Sequence, residues 1–114
     1  MKIFDIFKRT RSEKSQRVMA KLEEVENEMK KIGFWIPNPP AFKAHNYLEA
    51  PSFELWLQCV FIPNARKAAE EEAYPKDSQV GQMAMRQYDY HSFVKETQAL
   101  LQLLNEFDSI IRTK

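Results

Sequence analysis

Apolar positions recur every three or four residues in two long stretches of the chain, which is the spacing of one face of an α-helix. In residues 12–32 these positions are Val18, Leu22, Val25, Met29 and Ile32. In residues 92–111 they are Phe93, Thr97, Leu100, Leu104, Phe107 and Ile111. Each stretch is therefore predicted to form a long amphipathic helix that buries one face.

Capping residues predict where the first helix begins and ends. Ser12 and Ser15 are alternative N-caps, because a serine hydroxyl accepts a hydrogen bond from a backbone N–H of the first turn. Gly33 follows the last apolar position and is expected to adopt the left-handed conformation that ends a helix. A weaker helix is predicted over residues 77–88, where Gly81 interrupts the pattern.

The run from Phe53 to Pro63 is apolar on nearly every side. A helix of this kind is predicted to lie in the middle of a core, with the other helices around it. Glu54 and Gln58 leave a narrow polar stripe, which either faces solvent or forms a buried pair that needs partners such as Arg66. Because Pro63 has no N–H to donate, the helix either ends near residue 62 or kinks and continues to residue 71.

Residues 34–51 form a long connection that contains four prolines, so a continuous helix is excluded there. Its large apolar residues are Phe34, Trp35, Ile36, Phe42, Tyr47 and Leu48. Such a connection either packs as a crossover against one end of the helices or serves a function of its own. The fold is therefore predicted to be all-α, a three- to four-helix bundle with a long proline- and aromatic-rich connection after the first helix.

Charge is unevenly distributed along the 114 residues, a length typical of one domain. Residues 1–21 hold seven basic and two acidic residues, a net charge of +5, so the other 93 residues carry −4. We interpret residues 1–11 as a basic N-terminal extension and residues 12–114 as a single helical domain. The extension is either a solvated tail or a contact for RNA or an anionic membrane. The residues that would make this contact are Lys8, Arg9, Arg11, Lys14 and Arg17.

The extension also carries three large apolar residues, Ile3, Phe4 and Phe7, which would share one face of a helix. A weakly amphipathic segment of this kind either lies on a membrane surface, packs onto the bundle or frays.

Residues with catalytic or metal-binding chemistry are few. Cys59 is the single cysteine and lies on an apolar helix, where a thiol is usually inert. His45 and His91 are far apart and lack metal-ligand spacing, and two glycines are too few for a phosphate-binding loop. The sequence therefore predicts a protein that is not an enzyme and that has no metal and no cofactor.

A cytoplasmic location is also predicted. A single cysteine fits a reducing compartment, and no apolar run reaches the length of about 18 residues that spans a membrane. The first residues are too charged for a secretory signal.

The candidate binding residues lie in the aromatic connection and along the central helix. They are Trp35, Phe42, Trp56, Gln58, Pro63 and Arg66. Two hypotheses use them: a surface that binds a macromolecule, and an apolar pocket for a small ligand near Trp35, Phe42 and Trp56, with Phe61 beside them.

A distinctive order of residues occupies the middle of the chain: Trp56-Leu57-Gln58, then Val60, Phe61 and Ile62-Pro63, with Phe42 and Pro51 upstream. This order resembles the YqcC-like family of small bacterial all-helical proteins, and the likeness covers roughly residues 14–111. The chain departs from the family pattern at Leu55 and Asn64, where the family has an acidic and a basic residue.

The resemblance implies a four-helix-like bundle and a link to tRNA pseudouridine synthase C. The leading hypothesis is therefore a non-catalytic binding or accessory module whose partner is an RNA-modifying enzyme. The alternative is the small-ligand-binding bundle.

Overall fold

The computed structural model describes residues 12–88 and 94–113, and within these ranges the fold is an all-α bundle. Its four helices are α1 (Glu13–Lys31), α2 (residues 53–71), α3 (Val80–Tyr88) and α4 (Gln98–Arg112). Short 3-10 turns cover Tyr47–Glu49 and Lys95–Thr97. The predicted fold class is confirmed, whereas the basic extension, residues 1–11, lies outside the described residues.

The caps of α1 are local, as the sequence predicts. Ser12 is the N-cap, and its hydroxyl accepts a hydrogen bond from the N–H of Ser15 at 3.1 Å. At the other end Gly33 has φ +81°, and the N–H of Phe34 donates to the carbonyl of Met29 at 2.8 Å. This is the hydrogen bonding of a glycine-terminated helix.

The two apolar stripes predicted from the sequence form the centre of the core. Seven side chains of these stripes are completely buried: Val18, Leu22, Val25, Met29, Thr97, Leu100 and Leu104. Helices α1 and α4 run antiparallel, because Lys14 contacts the end of α4 and Lys21 pairs with Glu106 one turn before it. The prediction of two long amphipathic helices is therefore confirmed, with α4 beginning at residue 98 after a 3-10 turn rather than at residue 92.

Helix α2 continues through Pro63 by widening its preceding turn. The helix consists of an α-helical part, Phe53–Trp56, a π-helical part, Leu57–Phe61, and a second α-helical part, Ile62–Glu71. The N–H of Ile62 donates to the carbonyl of Leu57, five residues back. A wider turn accommodates Pro63, which lacks an N–H and whose ring crowds the carbonyl four residues earlier.

The expectation that α2 is enclosed on all sides is wrong for one face. Leu57 and Ile62 are completely buried against the core. Trp56, Val60 and Phe61 are only half-buried and line an open space between α2 and α4. Apolar composition predicted burial here, but it does not say whether a neighbouring helix is present.

Helix α3 begins at Val80, three residues later than predicted. Its first turn is capped by Asp108 of α4, whose carboxylate accepts hydrogen bonds from the N–H groups of Val80 at 3.1 Å and Gly81 at 2.8 Å. The hydroxyl of Ser78 donates to the same carboxylate at 2.6 Å. The cap on α3 thus comes from a distant helix.

The connection between α1 and α2 packs as a crossover. Tyr47 makes edge contacts with Phe53 and Trp56, at ring-centroid distances of 5.7 and 6.0 Å. Phe34 packs on Tyr88 of α3 at 5.6 Å. The connection therefore covers the amino-terminal end of α2, although its Leu48 is 74% exposed.

Candidate functional site

An apolar groove of about 220 Å³ lies between α2 and α4. The residues that line it include Trp56, Phe61, Ala65, Ala68, Phe107 and Ile111. Tyr74, Pro75 and Ser78, from the connection between α2 and α3, also line it. The short side chains of Ala65 and Ala68 on α2 line this space.

Two stacked aromatic rings, Trp56 and Phe61, form one wall of the groove. Trp56 stacks on Phe61 at a centroid distance of 5.7 Å and an interplanar angle of 27°. It also stacks on Phe53 at 5.7 Å and 29°, and Phe61 meets Phe107 edge-on at 5.0 Å. Residues five apart point about 140° away from each other in an α-helix. The π-helical turn therefore places Trp56 and Phe61 side by side.

The first turn of α1 lies at one end of the groove, beside Tyr74 and Ile111. The hydroxyls of Ser15 and Tyr74 share a hydrogen bond. The ammonium of Lys14 lies 4.9 Å from the centre of the Tyr74 ring and donates to the carbonyl of Ile111 at 2.8 Å. The N–H of Ser12 donates to the Glu72 carboxylate at 2.9 Å, which fixes the position of the chain where α1 begins.

A family model described as DUF446, tRNA pseudouridine synthase C, matches residues 17–110, which span α1 to α4 and the groove. The chain belongs to this family. The description names tRNA pseudouridine synthase C, the enzyme that the sequence resemblance also implied. Membership of the YqcC-like family in particular stays a prediction. Comparison with curated proteins and with solved structures gave no match.

Four of the six candidate binding residues lie on α2 of this DUF446 chain, and they do not share one surface. Trp56 lines the groove. Gln58 is 8% exposed and bonds both its amide groups to the backbone of Ile36. Pro63 is exposed, and Arg66 pairs with Glu26 of α1 at 2.7 Å. Arg66 therefore serves the contact between α1 and α2 rather than the polar stripe.

The other two candidates, Trp35 and Phe42, do not line the groove. Both are half-buried in the connection, and the ammonium of Lys30 lies 5.4 Å from the centre of the Trp35 ring. The structure thus places Trp56 and Phe61 together but separates them from the other members of the expected pocket. The groove residues that the sequence missed include Ala65, Ala68 and Tyr74, although Phe61, Ala65 and Ala68 do recur at helical spacing.

Two carboxylates, the half-buried Glu54 and the buried Asp108, accept hydrogen bonds from other parts of the fold. Glu54 accepts a hydrogen bond from the hydroxyl of Tyr88. Burial raises the pKa of the Tyr88 hydroxyl, and the hydrogen bond to Glu54 raises it further. Burial raises the pKa of Asp108, while its hydrogen bonds from Ser78, Gly81 and the neighbouring N–H act in the opposite direction. Glu54 of α2 thus contacts α3, and Asp108 of α4 caps the first turn of α3.

The basic residues that were candidates for RNA or membrane contact are only partly within the described residues. Lys8, Arg9 and Arg11 lie outside them. Lys14 is engaged with the end of α4, and Arg17 is exposed on α1. Several other cations pair with nearby carboxylates: Lys21 with Glu24 and Glu106, Lys30 and Arg66 with Glu26, and Arg112 with Asp77.

Metal-binding chemistry is not assembled in residues 12–88 and 94–113, where no group of three or more His, Cys, Asp or Glu side chains is placed to hold an ion. His45 is exposed and lies 3.2 Å from Glu49, whereas His91 is outside the described residues. In the same ranges no helix is both long and apolar enough to cross a membrane.

Proposed function

We propose that this chain is a non-catalytic accessory module that binds a tRNA-modifying enzyme, and that the partner is tRNA pseudouridine synthase C. The observation that carries the proposal is the family description, which names that enzyme over residues 17–110. The apolar groove between α2 and α4 is the surface that we assign to the partner, since exposed apolar patches mark protein interfaces.

The hydrogen bonds of Asp108 and Glu54 support the proposal that the chain is not catalytic. A general acid or base must come within hydrogen-bonding distance of the proton that it transfers. Asp108 is only 3% exposed and accepts from three donors of the protein, while Glu54 accepts from Tyr88. These two groups therefore serve the fold rather than a reaction.

A protein partner fits the described surface better than tRNA does. RNA affinity depends on cations that neutralise phosphates, and three described cations, Lys21, Lys30 and Arg66, are paired with carboxylates of this chain instead. The groove is lined almost entirely by apolar side chains, which fit an apolar surface of a protein.

The alternative, a small-ligand-binding bundle, would use the same groove. Its volume of about 220 Å³ is below the roughly 300–1,000 Å³ that is usual for ligand pockets. Trp35 and Phe42, which the alternative needs beside Trp56, are not part of its lining. The accessory module is therefore the function that we favour.

Titration of the purified chain against purified tRNA pseudouridine synthase C, followed by calorimetry and size-exclusion chromatography, tests the proposal. We expect a complex that forms with the wild type and is lost in Ala68→Glu, which places a charge in the groove. Ala99→Glu is the matched control, because Ala99 is exposed on α4 and lies outside the groove.

Three results would contradict the proposal. One is the absence of any complex with the synthase. Another is binding to tRNA alone with a steep salt dependence, which would make the chain an RNA-binding protein. The third is conversion of uridine to pseudouridine in tRNA by the chain without the synthase.

A further inference from the structure

The chain enters the described structure at one end of the groove. The N–H of Ser12 is held by Glu72 at 2.9 Å, and the next turn contacts Tyr74, which lines the groove. Lys14 connects the same turn to Ile111, on the other side of the groove. Residues 1–11 therefore join the bundle beside an apolar surface that no described helix covers.

The residues that precede Ser12 have the composition of an occupant for this groove. Ile3, Phe4 and Phe7 are the large apolar residues among them. Burial of a phenylalanine side chain stabilises a protein by about 1.5–3 kcal/mol. Contact between the apolar residues of this segment and the groove would therefore stabilise the folded protein.

We propose that residues 1–11 dock in the groove between α2 and α4 of the same molecule, with Phe4 and Phe7 as the inserted side chains. The proposal needs the chain to reach along the groove, and it does. Phe7 and Phe4 precede Ser12 by five and eight residues, about 17 and 26 Å if extended. The lining of α2 from Ala68 to Trp56 is about 18 Å long.

Charge complementarity favours the same arrangement. Helix α2 ends in the acidic run Glu70, Glu71 and Glu72, next to the point where α1 begins. The carboxyl end of a helix also carries a partial negative charge. Residues 1–11 contain four basic residues and one acidic residue, a net charge of +3, and the basic run Lys8-Arg9 lies close to Ser12 in sequence.

The inference rests on the groove and on the position of Ser12, and it does not depend on the link to tRNA modification.

Paramagnetic relaxation in the full-length chain tests the proposal. A nitroxide is attached to Asp5→Cys in a Cys59→Ala background, so that the introduced thiol is the single site of labelling. The methyl signals of Ala65, Ala68 and Ile111 are then recorded with the label oxidised and reduced. We expect these groove signals to lose most of their intensity, while the methyl of Met85, outside the groove, keeps its intensity.

The matched control carries Phe4→Ser and Phe7→Ser in the same labelled background, which removes the apolar contacts but keeps every charge. We expect the groove signals to recover in this variant. Equal broadening in both proteins, or no broadening in the groove, overturns the proposal.

A mixture of isotope-labelled protein without nitroxide and unlabelled protein with nitroxide separates docking within one molecule from docking between two. Broadening of Ala65 and Ala68 in this mixture would mean that a second copy supplies the segment, which also overturns the proposal. Synthase binding is measured independently, so failure of the docking test leaves the proposed function untouched.

Discussion

The side chain of Gln58 holds the backbone of Ile36 through both of its amide groups. Its oxygen accepts from the N–H of Ile36 at 2.9 Å, and its nitrogen donates to the carbonyl of Ile36 at 2.7 Å. The two residues are 22 positions apart, so this pair fixes the start of the proline-rich connection to the middle of α2. A polar side chain in a nearly all-apolar helix thus has a structural role.

We expect Gln58→Ala to destabilise the protein by about 1–3 kcal/mol, because the substitution leaves two polar groups of Ile36 without partners. Urea denaturation measures the loss, and faster hydrogen exchange at the Ile36 amide locates it. The matched control is Gln82→Ala on exposed α3 surface, which should change stability little. Equal effects of the two substitutions would show that the Gln58 hydrogen bonds contribute nothing.

Asp108→Asn should destabilise α3 by about 1–3 kcal/mol, because an amide nitrogen cannot accept the hydrogen bond from Val80 or Gly81. Hydrogen exchange at the amides of Val80 and Gly81 should accelerate more than exchange in α1. Asp77→Asn makes the same chemical change at an exposed position and should have little effect. A normal exchange rate at Gly81 in Asp108→Asn would contradict the capping role.

Gly81→Ala should destabilise the protein by about 1–3 kcal/mol, although alanine is the better helix former by about 1 kcal/mol. A Cβ at this position would lie 2.1 Å from the side-chain oxygen of Asn105 and 2.9 Å from its Cα. Thermal unfolding measures the change. In an Asn105→Ala background the cost should shrink, because the closest contact is removed, and an unchanged cost would mean that the collision is not its cause.

Glu26 should make the protein sensitive to acid. Hydrogen bonds from Lys30 and Arg66 lower the pKa of its carboxyl below the usual value of about 4.3. The folded state therefore favours the ionised form, so the stabilisation is fully present above about pH 4.3 and is lost as the pH falls through the lowered pKa.

The measurement is the melting temperature of the wild type and of Glu26→Gln between about pH 7 and pH 3. The wild type should lose more stability on acidification than the variant. Asp108, whose pKa burial raises, acts in the opposite direction but is present in both proteins. Glu23→Gln on the exposed side of α1 controls for the change of net charge. Parallel curves for the wild type and Glu26→Gln would disprove the prediction.

Features that depend on neighbouring residues could be predicted from the sequence, and contacts between distant residues could not. Residue spacing predicts the apolar stripes that contain Val18 and Leu100. The chemistry of serine and glycine predicts the caps at Ser12 and Gly33. The cap on α3 could not be found in this way, because Asp108 lies 28 residues from Val80. For the same reason the sequence suggested Arg66 as a partner of Glu54 and Gln58, whereas the structure pairs it with Glu26.

The candidate site was predicted only in part. Trp56 was recognised as important because of its position in an apolar helix, and it lines the groove. Trp35 and Phe42 were grouped with it on composition, but aromatic character alone does not determine which rings meet. Ala65 and Ala68 attracted no attention, since small side chains reveal a groove only when the opposite helix is known.

The π-helical turn at Leu57–Phe61 has a consequence for comparing this chain with its relatives. The turn accommodates one residue more than an α-helical turn, so it is equivalent to a single-residue insertion within α2. A relative with an uninterrupted α-helix would require a one-residue gap between the positions of Trp56 and Pro63 in a correct alignment. An ungapped alignment would match the Ala65 and Ala68 face of this chain to the wrong side of the other helix.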